Sequence, residues 1–139
     1  MKYFSTRDTS IKVTSAEAIV RGLSRDGGLF CPESIPELTE DDKKFLLNAS
    51  YQKRAAFVLG KFLDDFSAEE LEDYTEKAYS SEKFDSEAVA PVHMLNNKLG
   101  ILELWHGPTC AFKDMALQIL PYLLTASLKK TGEKRCACI

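Results

Sequence analysis

A mixed α/β fold is predicted for residues 1–139: a mostly helical first unit with short strands over residues 1–90, then the opening of a second α/β unit over residues 91–139. Three observations predict it. Side-chain capping signals at Thr14, Thr39, Ser50 and Ser67 each precede a stretch with helical character, in several cases with apolar residues recurring three or four apart. Short apolar runs bounded by glycine, proline or asparagine read as strands. A polar connection over residues 81–90 (Ser-Glu-Lys-Phe-Asp-Ser-Glu-Ala-Val-Ala) separates the two units.

In the first unit, residues 3–5 and 11–13 are strand-like. Thr14 with Glu17 forms a capping box for a helix to about Arg21, which Gly22 ends. Asp26, Gly27 and Gly28 make a turn, because glycine supplies the positive φ that tight turns need. Leu29, Phe30 and Cys31 form a short strand halted by Pro32. Thr39 with Asp42 caps a helix to about Leu47, and Ser50 caps the next. There Phe57, Leu59, Phe62, Leu63 and Phe66 share one expected buried helix face. Ser67 with Glu70 opens a further helix with Leu71, Tyr74 and Ala78 as its apolar stripe. Core packing explains the aromatic residues better than a binding face does. The acids Asp64, Asp65 and residues 69–73 are read as helix N-terminal charge and a solvated face.

In the second unit, residues 92–95 and 99–105 read as two strands joined at Asn96-Asn97, a hairpin turn. Lys113 opens the last helix, with Leu117, Leu120, Leu124 and Leu128 on one face and Gly132 ending it. Pro121 falls inside that span and is expected to kink or split it near Ile119, since its ring removes a hydrogen bond and crowds the previous turn. Residues 134–139 resemble the start of a buried strand, with Cys136 and Cys138 on opposite faces.

Composition narrows the function. Lysine plus arginine number 18 against 21 aspartate plus glutamate, for a formal net charge of −3. No basic face for nucleic acid is expected from that balance. No apolar run is long enough to span a bilayer, and the N-terminus lacks the apolar stretch of a signal peptide, so a cytoplasmic location is expected. The four cysteines (Cys31, Cys110, Cys136, Cys138) follow neither a disulfide nor a zinc spacing. Free thiols and no metal site are the expectation.

The most informative stretch is residues 102–118, Leu-Glu-Leu-Trp-His-Gly-Pro-Thr-Cys-Ala-Phe-Lys-Asp-Met-Ala-Leu-Gln. A loop holding Gly107 and Pro108 delivers Lys113 to a helix start. Most lysines are solvated surface charges. This one lies among Trp105, Cys110, Ala111, Phe112, Met115, Ala116 and Leu117. Apolar neighbours favour the neutral, nucleophilic amine through desolvation.

His106-Gly107-Pro108-Thr109, Phe112-Lys113-Asp114 and Ala116-Leu117-Gln118 closely resemble the cofactor-lysine segment of threonine synthases. Residues 22–33 (Gly-Leu-Ser-Arg-Asp-Gly-Gly-Leu-Phe-Cys-Pro-Glu) resemble that family's N-terminal motif, and residues 3–7 its first strand. The resemblance implies pyridoxal 5'-phosphate (PLP) as cofactor and the three-layer α/β catalytic domain of the tryptophan-synthase-β type (fold type II), here cut short after it begins. It also implies the conversion of O-phospho-L-homoserine and water to L-threonine and phosphate, with Lys113 carrying the cofactor as a Schiff base.

Phe112 and Asp114 are then cofactor-site candidates. Phe112 either packs near the cofactor or belongs to the core; Asp114 either caps the helix or orients Lys113. His106 and Thr109 are candidate substrate contacts, each with a structural alternative. His93 is read as merely packed or exposed. Such enzymes are several times longer, and their phosphate-holding loop follows the strand that begins near Cys136. The chain is therefore expected to be an N-terminal portion, inactive alone. Two alternatives stay open: another PLP-dependent lyase of the same fold type acting on a phosphorylated amino acid, or a noncatalytic binding or assembly module.

Overall fold

The computed structural model describes residues 1–134; the strand expected over residues 134–139, including Cys136 and Cys138, lies almost wholly outside them. Tyr3–Ser5 forms β1 at the centre of a three-stranded antiparallel sheet. It is flanked by β2 (Lys12–Val13) and β3 (Phe30–Pro32). Tyr3 stands opposite both Val13 and Pro32. Pro32 is thus the last residue of its strand rather than a stop before it. An edge strand tolerates the missing N–H.

The Asp26 to Gly28 turn forms as expected. Gly27 has φ +77°, and a Cβ on Gly28 would lie 2.2 Å from Ser5 Oγ. Asp26 accepts from the Ser5 hydroxyl and the Gly28 N–H, which ties the turn to β1.

Thr14, Thr39 and Ser67 each close a capping box, on α1 (Ser15–Arg21), α2 (Glu40–Asn48) and α4 (Ala68–Ala78). Ser50 accepts from the Lys53 N–H at the start of α3 (Tyr51–Phe62). All four helix starts fall where the side chains predict them. α3 packs on α4. Leu63 and Phe66, expected on the α3 face, lie beyond its end and are buried there all the same.

The connection over residues 81–90 is less polar in place than in composition. Phe84 is 2% exposed and Val89 1%. Both join Leu71, Ala78 and Tyr79 in a core that continues through Ile119, Leu123 and Ala126.

After it, β4 (Val92–Asn96) and β5 (Leu99–Leu102) form an antiparallel hairpin whose residues are all exposed. Its turn residues are Asn97 and Lys98, one later than expected, with the Lys98 N–H bonded to the Asn96 side chain.

The last helix splits as Pro121 dictates, into α5 (Asp114–Leu117) and α6 (Leu120–Thr131), with Gln118 and Ile119 between. Pro121 sits in the first turn of α6, where its missing N–H costs nothing. Gly132 ends α6 at φ +73°. The split changes which face is inside. Leu117 is 50% exposed and Leu120 38%, whereas Ile119, Leu123 and Ala126 are buried. A stripe counted along one unbroken helix misses this, because the break resets the phase. α6 packs against α1. No helix among the described residues is long and apolar enough to cross a membrane.

Candidate active site

Lys113 stands where the loop after β5 turns into α5. Its backbone is already helical (φ −64°, ψ −21°). Its carbonyl accepts the N–H groups of Ala116 and Leu117 at 3.0 and 2.8 Å. The main chain is therefore fixed as a helix start, while the side chain is exposed. Among the described residues its amine has no hydrogen-bond or ion-pair partner.

The side chain borders a cleft of about 1290 Å³, with Phe112, Met115 and Ala116 beside it and Tyr51 and Arg54 of α3, with its cap Ser50, also on its lining. Phe112 is 65% exposed. It is a wall of the cleft rather than core. The apolar setting read from the sequence is thus one-sided, and these residues leave the amine in contact with water.

Asp114 is 1% exposed. Its Oδ2 accepts from both the N–H and the hydroxyl of Thr109, at 2.8 and 2.9 Å. Burial pushes this carboxyl up, but the Thr109 donors, helped by the Ala111 N–H, outweigh burial and hold it below the usual carboxylate range. Gly107 is buried in the same knot, and a Cβ there would lie 2.5 Å from Asp114 Cβ. Cys110 completes the turn in the left-handed region (φ 56°), its N–H bonded to the Gly107 carbonyl at 3.1 Å. Such a conformation is uncommon outside glycine and marks a tightly constrained loop. Thr109 and Asp114 therefore shape the loop, and Lys113 is the group they leave facing outward.

His106 is placed differently. Its Nδ1 lies 2.6 Å from Asp85 Oδ1 and its Nε2 2.8 Å from Glu103 Oε2. Glu103 first, and then Asp85, raise its pKa above the ordinary imidazole value. The Trp105 ring stacks on it at 5.7 Å. His106 is not on the cleft lining. With both ring nitrogens taken by this chain's own carboxylates, it offers no free atom for the substrate contact expected of it.

The structure thus brings Thr109, Phe112, Lys113 and Asp114 together and sets His106 behind them. The Gly22 to Glu33 motif builds the β3 turn and does not reach the cleft. His93 is exposed on β4. Cys31 and Cys110 are free thiols.

Sequence reading missed another wall of the cleft. Arg54 and Glu87 both border the cleft, and Arg54 has no ion pair among the described residues. The Ser50 cap and the apolar face of α3 are legible in the sequence, but nothing local places that helix near residue 113.

This wall bears on PLP. An unpaired primary amine suits attachment to an aldehyde, the aromatic side chains of Tyr51 and Phe112 on the lining suit a flat aromatic group, and Arg54 supplies positive charge for an anion, partly offset by Glu87. The residues present fit the anchoring half of such a site.

Residues 2–79 match the family profile described as threonine synthase N terminus. Threonine synthase from Methylobacillus glycogenes is 35% identical over 140 residues, covering 96% of this chain and 30% of that protein. The Corynebacterium glutamicum enzyme is 37% identical over 138 residues, covering 96% and 29%. The crystal structure of PLP-bound threonine synthase from Brucella melitensis superposes with a TM-score of 0.86 at 36% identity, over 95% of this chain and 28% of that one. Yeast threonine synthase gives 0.81 at 33%, over 94% and 27%. The chain spans about 30% of the length of the Methylobacillus and Corynebacterium enzymes.

Proposed function

Because the chain belongs to the threonine synthase family, we propose that it supplies the cofactor-bearing lysine for conversion of O-phospho-L-homoserine and water to L-threonine and phosphate. The observation that carries this is Lys113: an exposed, unpaired amine on a fixed helix start at the rim of an apolar cleft.

The electron sink that stabilises negative charge on the substrate carbons is what bound PLP supplies. Lys113 Nζ would hold the cofactor through its aldehyde group, and the same amine would be the group placed to move protons at the substrate's Cα and Cβ. Asp114, through Thr109 and the close approach at Gly107, fixes the backbone from which that side chain swings. Phe112 lines one side of the cleft with apolar surface against which a flat ring could pack. Arg54 adds positive charge on a lining that suits a phosphorylated, anionic substrate.

The exposed Lys113 amine also bears on the chain alone. Among the described residues nothing covers its side chain, which stays exposed. We therefore expect the 139-residue chain by itself to give little turnover. A cytoplasmic setting suits the acidic composition and the free thiols.

The test is chemical. The intact protein is loaded with PLP and reduced with borohydride, and the pyridoxyl group is mapped by peptide mass spectrometry. A single label on Lys113 is expected. A label elsewhere, or one scattered over surface lysines, overturns the assignment.

A further inference from the structure

His106 is held at both ring nitrogens by groups from two different places in the fold. Glu103 follows the end of β5, and Asp85 comes from the connection over residues 81–90. Their oxygens lie 2.8 and 2.6 Å from Nε2 and Nδ1. An ionised carboxylate only accepts hydrogen bonds. Each ring nitrogen must therefore donate, and a ring that donates from both is the imidazolium. The Asp85 N–H also donates to the His106 carbonyl at 3.1 Å, so residue 106 is held by its backbone as well as its ring.

Little slack separates this point from Lys113. Gly107 is wedged against Asp114, the Cys110 N–H returns to the Gly107 carbonyl at 3.1 Å, and Asp114 holds Thr109. We infer that His106 is a positioning residue for Lys113: doubly protonated, it ties β5 and the residue 81–90 connection to the loop over residues 107–113, and loss of one ring proton loosens that loop. The inference rests on Lys113 being the working amine.

The step is a simple proton loss from one ring nitrogen to water. The neutral ring keeps one donor, so one carboxylate is left facing a nitrogen lone pair. Glu103 and Asp85 are the charged groups facing the ring; Trp105, stacked on it, is uncharged. A site that favours the protonated ring is fully formed below the ordinary histidine value of about 6.5 and is lost as pH rises through the raised one.

Nuclear magnetic resonance on the cofactor-free chain tests this. Imidazole nitrogen shifts report the ring's titration. Amide exchange at Thr109 and Asp114, divided by the intrinsic rate at each pH, reports the loop. The ring should titrate above the ordinary value, and loop protection should fall over the same pH interval. Glu103→Gln and Asp85→Asn should each lower the ring's midpoint, and the loop's loosening should move with it. A ring that titrates at the ordinary value, or a loop whose protection ignores the ring's titration, overturns the proposal. The unsubstituted chain suffices for both outcomes should a variant fail to fold. No cofactor is involved, so failure here is distinct from failure of the pyridoxyl label.

Discussion

Asp114 carries more of the loop's geometry than its neighbour Lys113. It is the buried acid of the motif, and Thr109 reaches it twice. A carboxyl whose folded pKa is lowered contributes stability above its unfolded value, about 3.9, and that contribution fades as pH falls through the lowered value. Asp114→Asn is therefore expected to be less stable than the parent near neutral pH and closer to it in acid. Urea unfolding at both pH values checks this; an equal loss at both would remove the charge from the explanation. That Thr109 and Asp114 sit close to Lys113 was legible from their adjacency. That His106 faces Asp85 was not, because the two lie far apart in sequence and the connection between them has no local signal for the contact.

Helix starts were the most legible elements, since a cap is a contact between residues three apart and needs no tertiary context. Helix faces were less so. The stripe expected at Leu117 and Leu120 is largely exposed, because the break at Gln118 and Ile119 rotates α6 relative to α5. Side-chain truncation separates the inner positions from the outer ones. Leu71, 1% exposed in α4, should lose about 2–5 kcal/mol on conversion to alanine, as buried leucines do. Leu117→Ala, half exposed, should stay within about 0.5 kcal/mol, as surface changes away from special features do. Denaturant midpoints give both values. A loss at Leu117 matching that at Leu71 would restore the unbroken-helix stripe. Between these elements, Tyr79 links α4 to α5 by donating its hydroxyl to the Met115 carbonyl at 2.8 Å, and burial pushes its phenol up.

The molecule as a whole is unevenly covered. One core runs from α3 and α4 through Phe84 and Val89 to α6. The hairpin of β4 and β5 stands apart, with Val92, Met94, Leu95, Leu99, Ile101 and Leu102 between 42% and 59% exposed. Apolar surface of that kind on a two-stranded ribbon with open edges promotes association. The isolated chain is expected to self-associate with rising concentration in analytical ultracentrifugation. Leu95→Lys with Ile101→Lys should shift it toward monomer without changing its helix content. Unchanged association in the double variant would place the sticky surface elsewhere.

The amino-acid sequence was enough for the capped helix starts, the glycine turn and the break before Pro121. Each of these follows from chemistry within a few residues along the chain. Four other features depended on the folded chain: Phe84 and Val89 buried inside a polar connection, the inner face of α6, Arg54 on the same cleft as Phe112, and the two carboxylates on His106. Each joins residues distant in sequence, or depends on how an element is rotated once packed, and no local pattern encodes those distances.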